Sequence, residues 1–322
     1  MEDNNILVSI ICTAYNHEKY IRDALDGFVM QKTNFKFEAL VHDDASTDGT
    51  AAIIREYAEK YPDIIVPIIQ TENQFSKKVG ITHNILMPMA KGKYIAFCEG
   101  DDFWTDENKL QLQVDFLESH PDYTACVHNS TLRYCMKNKK DRLIVSKKEE
   151  HDVLFEDVVW GMENAYQTSS LVVRREFVCT MPDFYKIAQK YSFGDFPRAI
   201  WYTIVGKVHF FPYDMSTYRL MSTPTSWSAS TSSTSQRIRH KQGVIEMFEG
   251  VKSHVSDERK LLLDKVIKEQ QFNILDHQRR YKEMLAPKFS EIWQHKSLKY
   301  RIKFYIKMLC PWLYNLKHRA DK

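Results

Sequence analysis

The sequence predicts an α/β protein with a C-terminal helical extension, and three observations carry that expectation. Short apolar runs rich in β-branched residues alternate with stretches whose apolar positions recur at helical spacing. Acidic and capping residues gather where the runs stop, and a Ser/Thr-rich segment from Ser222 to Ser235 is followed by helical pattern.

Taken in order, Ile6 to Cys12 reads as a first strand, and a helix follows with Ile21, Leu25, Phe28 and Val29 on one face. A second strand, Phe37 to Val41, ends in the polar stretch His42 to Thr50, from which a helix runs from about Ala51 to Tyr61. Ile64 to Gln70 is a third strand, Thr82 to Ala90 a short helix, and Gly92 opens a fourth strand, Tyr94 to Glu99. Lys109 to Ser119 is a helix with Leu110, Val114 and Leu117 inward, followed by a strand from Tyr123 to Asn129. The charged stretch 135–152 reads as a solvated hairpin or loop, ahead of a strand at Ser169 to Val173, a helix starting near Gly194-Asp195 and a strand at Lys207 to Phe211. Ligands of open α/β sheets bind beyond the carboxyl ends of the strands, so the loops at 13–17, 42–50 and 99–104 should line one crevice.

Composition narrows the function classes. A net charge of +3 from 45 basic and 42 acidic residues is too balanced for a nucleic-acid partner. The acidic start, Met1-Glu2-Asp3, is the opposite of a basic leader, and no apolar run approaches the ~20 residues of a membrane span, which points to the cytoplasm. Six scattered cysteines without a CxxC pair suggest neither a zinc site nor a disulfide framework, and most should be small buried groups.

Two clusters carry chemistry. In Glu99-Gly100-Asp101-Asp102, three carboxylates at a strand end repel one another unless a cation offsets them, and a hard divalent metal that keeps positions for phosphate would do so. A capped loop ahead of Lys109 is the alternative. Ser46 to Asp48 fit an N-cap and Asx turn, whereas Asp43 at its strand end suits a base N–H or a ribose hydroxyl.

The order and spacing of these segments resemble the family 2 glycosyltransferases of the GT-A fold, a Rossmann-like mixed sheet flanked by helices. The segments are Val8 to Asn16, Asp43 to Thr50, Ala90-Lys91-Gly92-Lys93-Tyr94-Ile95-Ala96 before Glu99-Gly100-Asp101-Asp102-Phe103-Trp104, Gly194-Asp195 and Tyr218-Arg219. The resemblance implies that Thr13, Ala14, Tyr15, Asn16 and Asp43 hold the nucleotide, that Asp101 meets the ribose, and that Asp102, with Asp101, holds Mn²⁺ or Mg²⁺ on the donor diphosphate. Glu99 stands where the family often has aspartate and would touch donor sugar or acceptor. Asp195 would be the base of an inverting transfer from a nucleotide sugar, UDP-linked, to a glycan or lipid-linked glycan in surface polysaccharide synthesis. Read without the resemblance, Asp195 is an N-cap. Arg219 and Trp227 would belong to a mobile segment folding over the donor, and Gln167 to Ser169 to the acceptor side.

The expected organisation is a catalytic domain over 1–235, divided into a nucleotide half (1–104) and an acceptor-side half (105–235), and a helical region over 236–322. In the tail, Lys296, Lys299, Arg301, Lys303, Lys307, Lys317, Arg319 and Lys322 face a single acid, Asp321, while Leu298, Ile302, Tyr305 and Leu309 form a stripe that Trp312 and Leu316 would extend past Pro311. Two readings stand: peripheral contact with the inner face of the plasma membrane, or packing on the catalytic domain. Oligomerisation is compatible with either. Two other functions compete with transfer. A nucleotidyltransferase would want a glycine-rich basic loop, which Thr13 to His17 does not supply, and a non-catalytic scaffold would have no use for the acidic clusters.

Overall fold

The computed structural model describes residues 5–135, 139–162, 165–191, 193–221 and 233–310. Strands β1 (Ile6–Ala14), β2 (Lys36–Asp43), β3 (Ile65–Ile69) and β4 (Tyr94–Phe97) lie side by side and parallel in the order β3-β2-β1-β4. β1 is central and covered on both faces, which is why its sequence reads as a near-continuous apolar run instead of an alternating one. The helix Ile21–Val29 buries Ile21, Ala24, Leu25 and Phe28 completely against one face, as its spacing predicts.

Gly92 shows why the turn before β4 needs glycine. A Cβ there would lie 2.7 Å from the Val8 carbonyl carbon and 2.8 Å from the Tyr94 oxygen, both backbone atoms that cannot rotate aside. Gly92→Ala is therefore expected to destabilise the fold by more than about 2 kcal/mol in urea unfolding, and a change inside ~0.5 kcal/mol would contradict this packing.

Beyond β4 the sheet becomes mixed. The remaining strands are β5 (Phe103–Trp104), β6 (Tyr123–Tyr134), β7 (Arg142–Leu143), β8 (His151–Asp152), β9 (Val172–Arg174) and β10 (Lys207–Leu220), and the full order is β3-β2-β1-β4-β9-β6-β10-β5, with β7 on β6 and β8 on β10. Two strands outrun their expected ends: β6 continues past Asn129 to Tyr134 and β10 past Phe211 to Leu220. Their polar distal halves pair with each other in parallel, with register shifts between Phe211 and Ser216, so backbone pairing extends them where hydrophobic pattern does not. The segment expected as a helix over Thr82 to Ala90 is a π-helical turn, Ile81–Leu86, followed by one α turn, Met87–Met89. Of the six cysteines, Cys12, Cys98 and Cys126 are buried, while Cys135 and Cys179 are exposed.

The chain divides into the units Met1–Ala229 and Ser230–Lys322. In the second, the helix Thr234–Val251 packs along Asp257–His277, and Asp257–His277, Tyr281–Met284, Ser290–His295 and Leu298–Leu309 surround a core of Phe272, Met284, Phe289 and Phe304. Ser233, Ser256 and Ser297 each accept a backbone N–H three residues on, the N-cap bond that lets these helices begin.

Candidate active site

Parallel pairing brings Ala14 opposite Asp43, and β4 pairs with β1 up to Ile11 opposite Phe97. The segments leaving these three strands therefore share one edge. They are also bonded to one another: Ala14 O accepts from Asp44 N at 2.9 Å, and Thr13 O from Gly100 N at 2.9 Å. A Cβ at Gly100 would stand 3.0 Å from Ala14 Cβ and from His17 Nδ1, so the acidic turn approaches the first loop this closely only with glycine there.

Asn16, in the left-handed region at φ 56°, joins the first two loops. Its Oδ1 accepts from Thr47 N at 2.9 Å, Ser46 Oγ accepts from Asn16 N at 2.8 Å, and Thr50 Oγ1 from His17 N at 2.8 Å. Of the N-cap and Asx-turn reading of Ser46 to Asp48, the turn holds at Asp48, whose Oδ1 accepts from Thr50 N at 3.0 Å, but the helix Thr50–Lys60 has Gly49 as N-cap with no side-chain cap bond, and Ser46 and Thr47 bond to Asn16 instead. Asp44 is structural as well, its two oxygens accepting from Gln74 N and Phe75 N at 2.7 and 3.0 Å. Asp43 differs. It is 1% exposed, its Oδ2 accepts from Ser46 N at 3.1 Å, and its buried Oδ1 has no hydrogen-bond partner among the described residues. A buried carboxylate oxygen left open costs free energy until a donor arrives. Tyr15 presents an exposed ring on the same rim, beside half-buried Thr13 and buried Ala14.

The acids at 99–102 are not equivalent. Asp102 is 2% exposed and its Oδ1 accepts from Arg219 N at 2.9 Å. Burial, and after it the Asp101 charge, hold its carboxyl well above the usual carboxylate range. Asp101 keeps 20% of its side chain exposed, with His17 Nε2 3.9 Å away, and is the more open of the two carboxylates expected to hold metal. Glu99 is open to solvent, yet the surrounding protein desolvates its carboxyl and Asp195, then Asp101, repel its charge, so it too titrates above the usual range, with Arg198 opposing the shift. Three crowded carboxylates are the electrostatic condition a divalent cation relieves. Among the described residues no three His, Cys, Asp or Glu side chains are grouped to hold a metal alone. A hard cation that takes one or two carboxylates and completes its shell with phosphate and water fits that sparse donor set.

β5 went unforeseen, and it fixes the acidic turn. Ser216 and Thr217 of β10 pair antiparallel with Trp104 and Phe103, and Trp104 is pinned by its Nε1 bond to Ser169 O at 2.8 Å and by Phe28 at 5.0 Å between ring centroids. Arg219, expected on the donor diphosphate, is 7% exposed: it pairs with Asp23, donates to Asp101 O at 2.8 Å and lies 4.3 Å over the Phe103 ring. In this state its guanidinium clamps the acidic turn onto the helix Ile21–Val29.

Asp195 is the first residue of the helix Asp195–Val205, whose N-cap is Gly194, and no side-chain cap bond is formed there. Its carboxylate, 38% exposed, instead pairs with Arg198 one turn on. Arg198 is buried, 4.7 Å over the Phe97 ring. The sequence reading passed over Arg198 and Asp23; the i, i+3 spacing of Asp195 and Arg198 was a signal for the first, and nothing local marked the second. Thr168 and Ser169 lie in a short 3₁₀ turn before β9, with Ser169 Oγ 3.1 Å from Ser216 Oγ. Trp227 lies outside the described residues.

The mixed sheet of the described residues, flanked by helices and ending in an acidic rim, has the GT-A glycosyltransferase fold. Staphylococcus aureus TarS, solved as residues 1–349 in complex with UDP-GlcNAc, shares it with a TM-score of 0.60 at 15% identity, over 88% of this chain and 77% of that one. Residues 9–159 match the family model described as glycosyl transferase family 2, and the chain belongs to that family. An uncharacterised protein of Mycobacterium tuberculosis is 36% identical over 214 residues, 66% of this chain and 58% of the relative, so the chain spans little more than half the length of that relative. The Escherichia coli enzyme WfaP, named a UDP-Glc:α-D-GlcNAc-diphosphoundecaprenol β-1,3-glucosyltransferase, is 34% identical over 113 residues, 35% of this chain and 42% of WfaP.

Proposed function

We propose that this chain is an inverting, metal-dependent hexosyl- or N-acetylhexosaminyltransferase. It moves the sugar of a UDP-sugar onto a hydroxyl of a glycan or lipid-linked glycan in surface polysaccharide assembly at the inner face of the membrane. The observation that carries the reading is geometric: Asp195, remote in sequence, pairs with Arg198, whose guanidinium lies 4.7 Å over the Phe97 ring at the end of β4, two residues before Glu99 in the turn that carries Asp101 and Asp102 on the rim with Asp43. WfaP, whose name specifies a UDP-sugar donor and a polyprenyl-diphosphate-linked acceptor, supports the choice of substrates.

The open Oδ1 of Asp43 accepts from the base, with Tyr15 stacking beside it and Thr13 and Ala14 shaping the pocket wall; Asn16 fixes the loop. Asp101 and Asp102 hold the cation, Asp101 also meets the ribose side of the donor, and the bond from Asp102 to the Arg219 backbone orients the turn. When bound, Mn²⁺ or Mg²⁺ neutralises charge on the departing diphosphate. Glu99 binds a hydroxyl of donor sugar or acceptor, and Asp195 takes the proton from the attacking hydroxyl on the opposite face of the anomeric carbon, so a single displacement inverts it. Arg219 acts by holding Asp101 and Asp102, and Trp227 is assigned to the segment that excludes water.

The test is a panel of nucleotide sugars with native lipid extract as acceptor, read by mass spectrometry with and without chelator. Product mass one sugar larger, abolished by chelator and restored by Mn²⁺ or Mg²⁺, is expected; no product from any donor would favour a scaffold that retains the fold. Separately, Asp43→Ala should weaken UDP binding by about tenfold in calorimetry, the worth of roughly one charge-assisted hydrogen bond. Unchanged affinity would remove Asp43 from the pocket.

A further inference from the structure

The helix Leu298–Leu309 is apolar on two sides. Phe304 is 2% exposed and packs with Tyr300 and Met308 into the core of the second unit. Leu298, Ile302, Tyr305 and Leu309, spaced four, three and four residues apart, lie along the other side and are 73%, 53%, 45% and 69% exposed, with Ile306 beside them at 41%. Five large apolar side chains on three helical turns form a continuous exposed stripe, the feature that marks an interaction surface and not a scatter of single residues.

Charge identifies the occupant. Between Lys296 and Cys310 there are five basic residues and no acidic one. Lys307 and Lys296 are matched by Asp276 and Glu269 of the helix Asp257–His277, on the packed side. Arg301 donates to the carbonyls of Trp293 and Lys296 but meets no carboxylate among the described residues. Lys299 and Lys303 are exposed and follow the stripe along one flank. An apolar strip bordered by lysines is complementary to a bilayer surface, where the apolar side chains enter the acyl boundary and the ammonium groups meet anionic headgroups. No helix among the described residues is long and apolar enough to cross a membrane, so such a helix lies in the plane of the surface.

We infer that the face Leu298–Ile302–Tyr305–Ile306–Leu309, flanked by Lys299 and Lys303, docks the protein on anionic phospholipid. The inference is independent of the transfer reaction. It assigns the membrane contact to one side of one helix and leaves its Phe304 side in the core.

The test is cosedimentation of the full chain with vesicles of phosphatidylcholine containing phosphatidylglycerol, and with phosphatidylcholine alone. Binding to the anionic vesicles should exceed binding to the neutral ones by at least tenfold. Leu298→Ser, Ile302→Ser and Leu309→Ser combined should lower it by more than tenfold at an unchanged melting temperature, because all three residues are exposed. Lys299→Glu with Lys303→Glu should lower anionic binding by at least about fivefold per lysine and leave the neutral background unchanged. Equal partition of wild type and stripe variant would overturn the inference. So would a chain that ignores both vesicles and forms a dimer in sedimentation velocity that the stripe variant dissolves, since the face would then join two copies.

Discussion

Asp195→Asn should lower the turnover of sugar transfer by about 10²–10⁴-fold, the usual contribution of a positioned general base. Nucleotide affinity should stay within twofold of wild type, because Asp195 enters from the helix Asp195–Val205 and the proposed nucleotide rim is built from the segments after β1, β2 and β4. The isosteric amide can still receive the Arg198 guanidinium sterically, but it cannot accept the acceptor's proton. The loss should therefore fall on kcat, with donor KM little changed. Near-normal turnover with intact UDP binding would end the assignment.

Arg198 sharpens the experiment. It is buried, stacks on Phe97 and touches Asp195, so with Asp195 as the proposed base it would act through that carboxylate as a positioning residue. Arg198→Met should reduce kcat in the wild-type background by about tenfold or more and add little once Asp195 is already asparagine. Full additivity of the two losses would mean that Arg198 serves the fold alone.

Lys109→Met should stabilise the protein, and the gain should shrink as pH rises. Lys109 is fully buried, its Nζ 2.7 Å from Gln113 Oε1 and 4.1 Å above the Trp104 ring, with no carboxylate partner among the described residues. Burial brings its pKa down from 10.5 to about 7. Such a shift is a penalty of roughly 4 kcal/mol at neutral pH. Methionine keeps the length and the contact with Trp104 but leaves Gln113 Oε1 unpaired at a cost of about 1–3 kcal/mol, so a net gain of about 1–3 kcal/mol remains. Between pH 7 and 10.5 the unfolded chain holds a proton on Lys109 that the folded chain has lost, so wild-type stability rises with pH in that window, by up to about 1.4 kcal/mol per unit. Urea midpoints of the two proteins should thus converge above pH 7 and cross by about pH 10. Parallel pH profiles would show that Lys109 titrates normally.

Much of the first half of the sheet was legible because the chemistry is local. A strand buried on both faces must be apolar throughout, and a helix laid on it must repeat its apolar residues at 3.6, so Ile6 to Cys12 and Ile21 to Val29 declare themselves. The far ends of β6 and β10 did not. Asn129 to Arg133 and Asp214 to Tyr218 carry mostly polar residues, and what makes them strands is each other, a pairing between segments more than eighty residues apart. The same remoteness hid β5, two residues long and defined only by its partners on β10.

The sequence alone determined which chemistry is present: carboxylates at strand ends in a fixed order, a first loop without a basic glycine-rich cradle, and a tail whose Leu298, Ile302, Tyr305 and Leu309 share one side of a helix. Only the tertiary structure decided what each group is free to do. It closed Asp44 and Asn16 into loop hydrogen bonds, left Asp43 Oδ1 open, buried Asp102 beneath Arg219 while Asp101 stayed accessible, and turned Asp195 from helix cap to partner of Arg198. Residue type and spacing are local properties, whereas the availability of a carboxylate depends on which distant donors reach it first, and those are set only when the sheet is assembled.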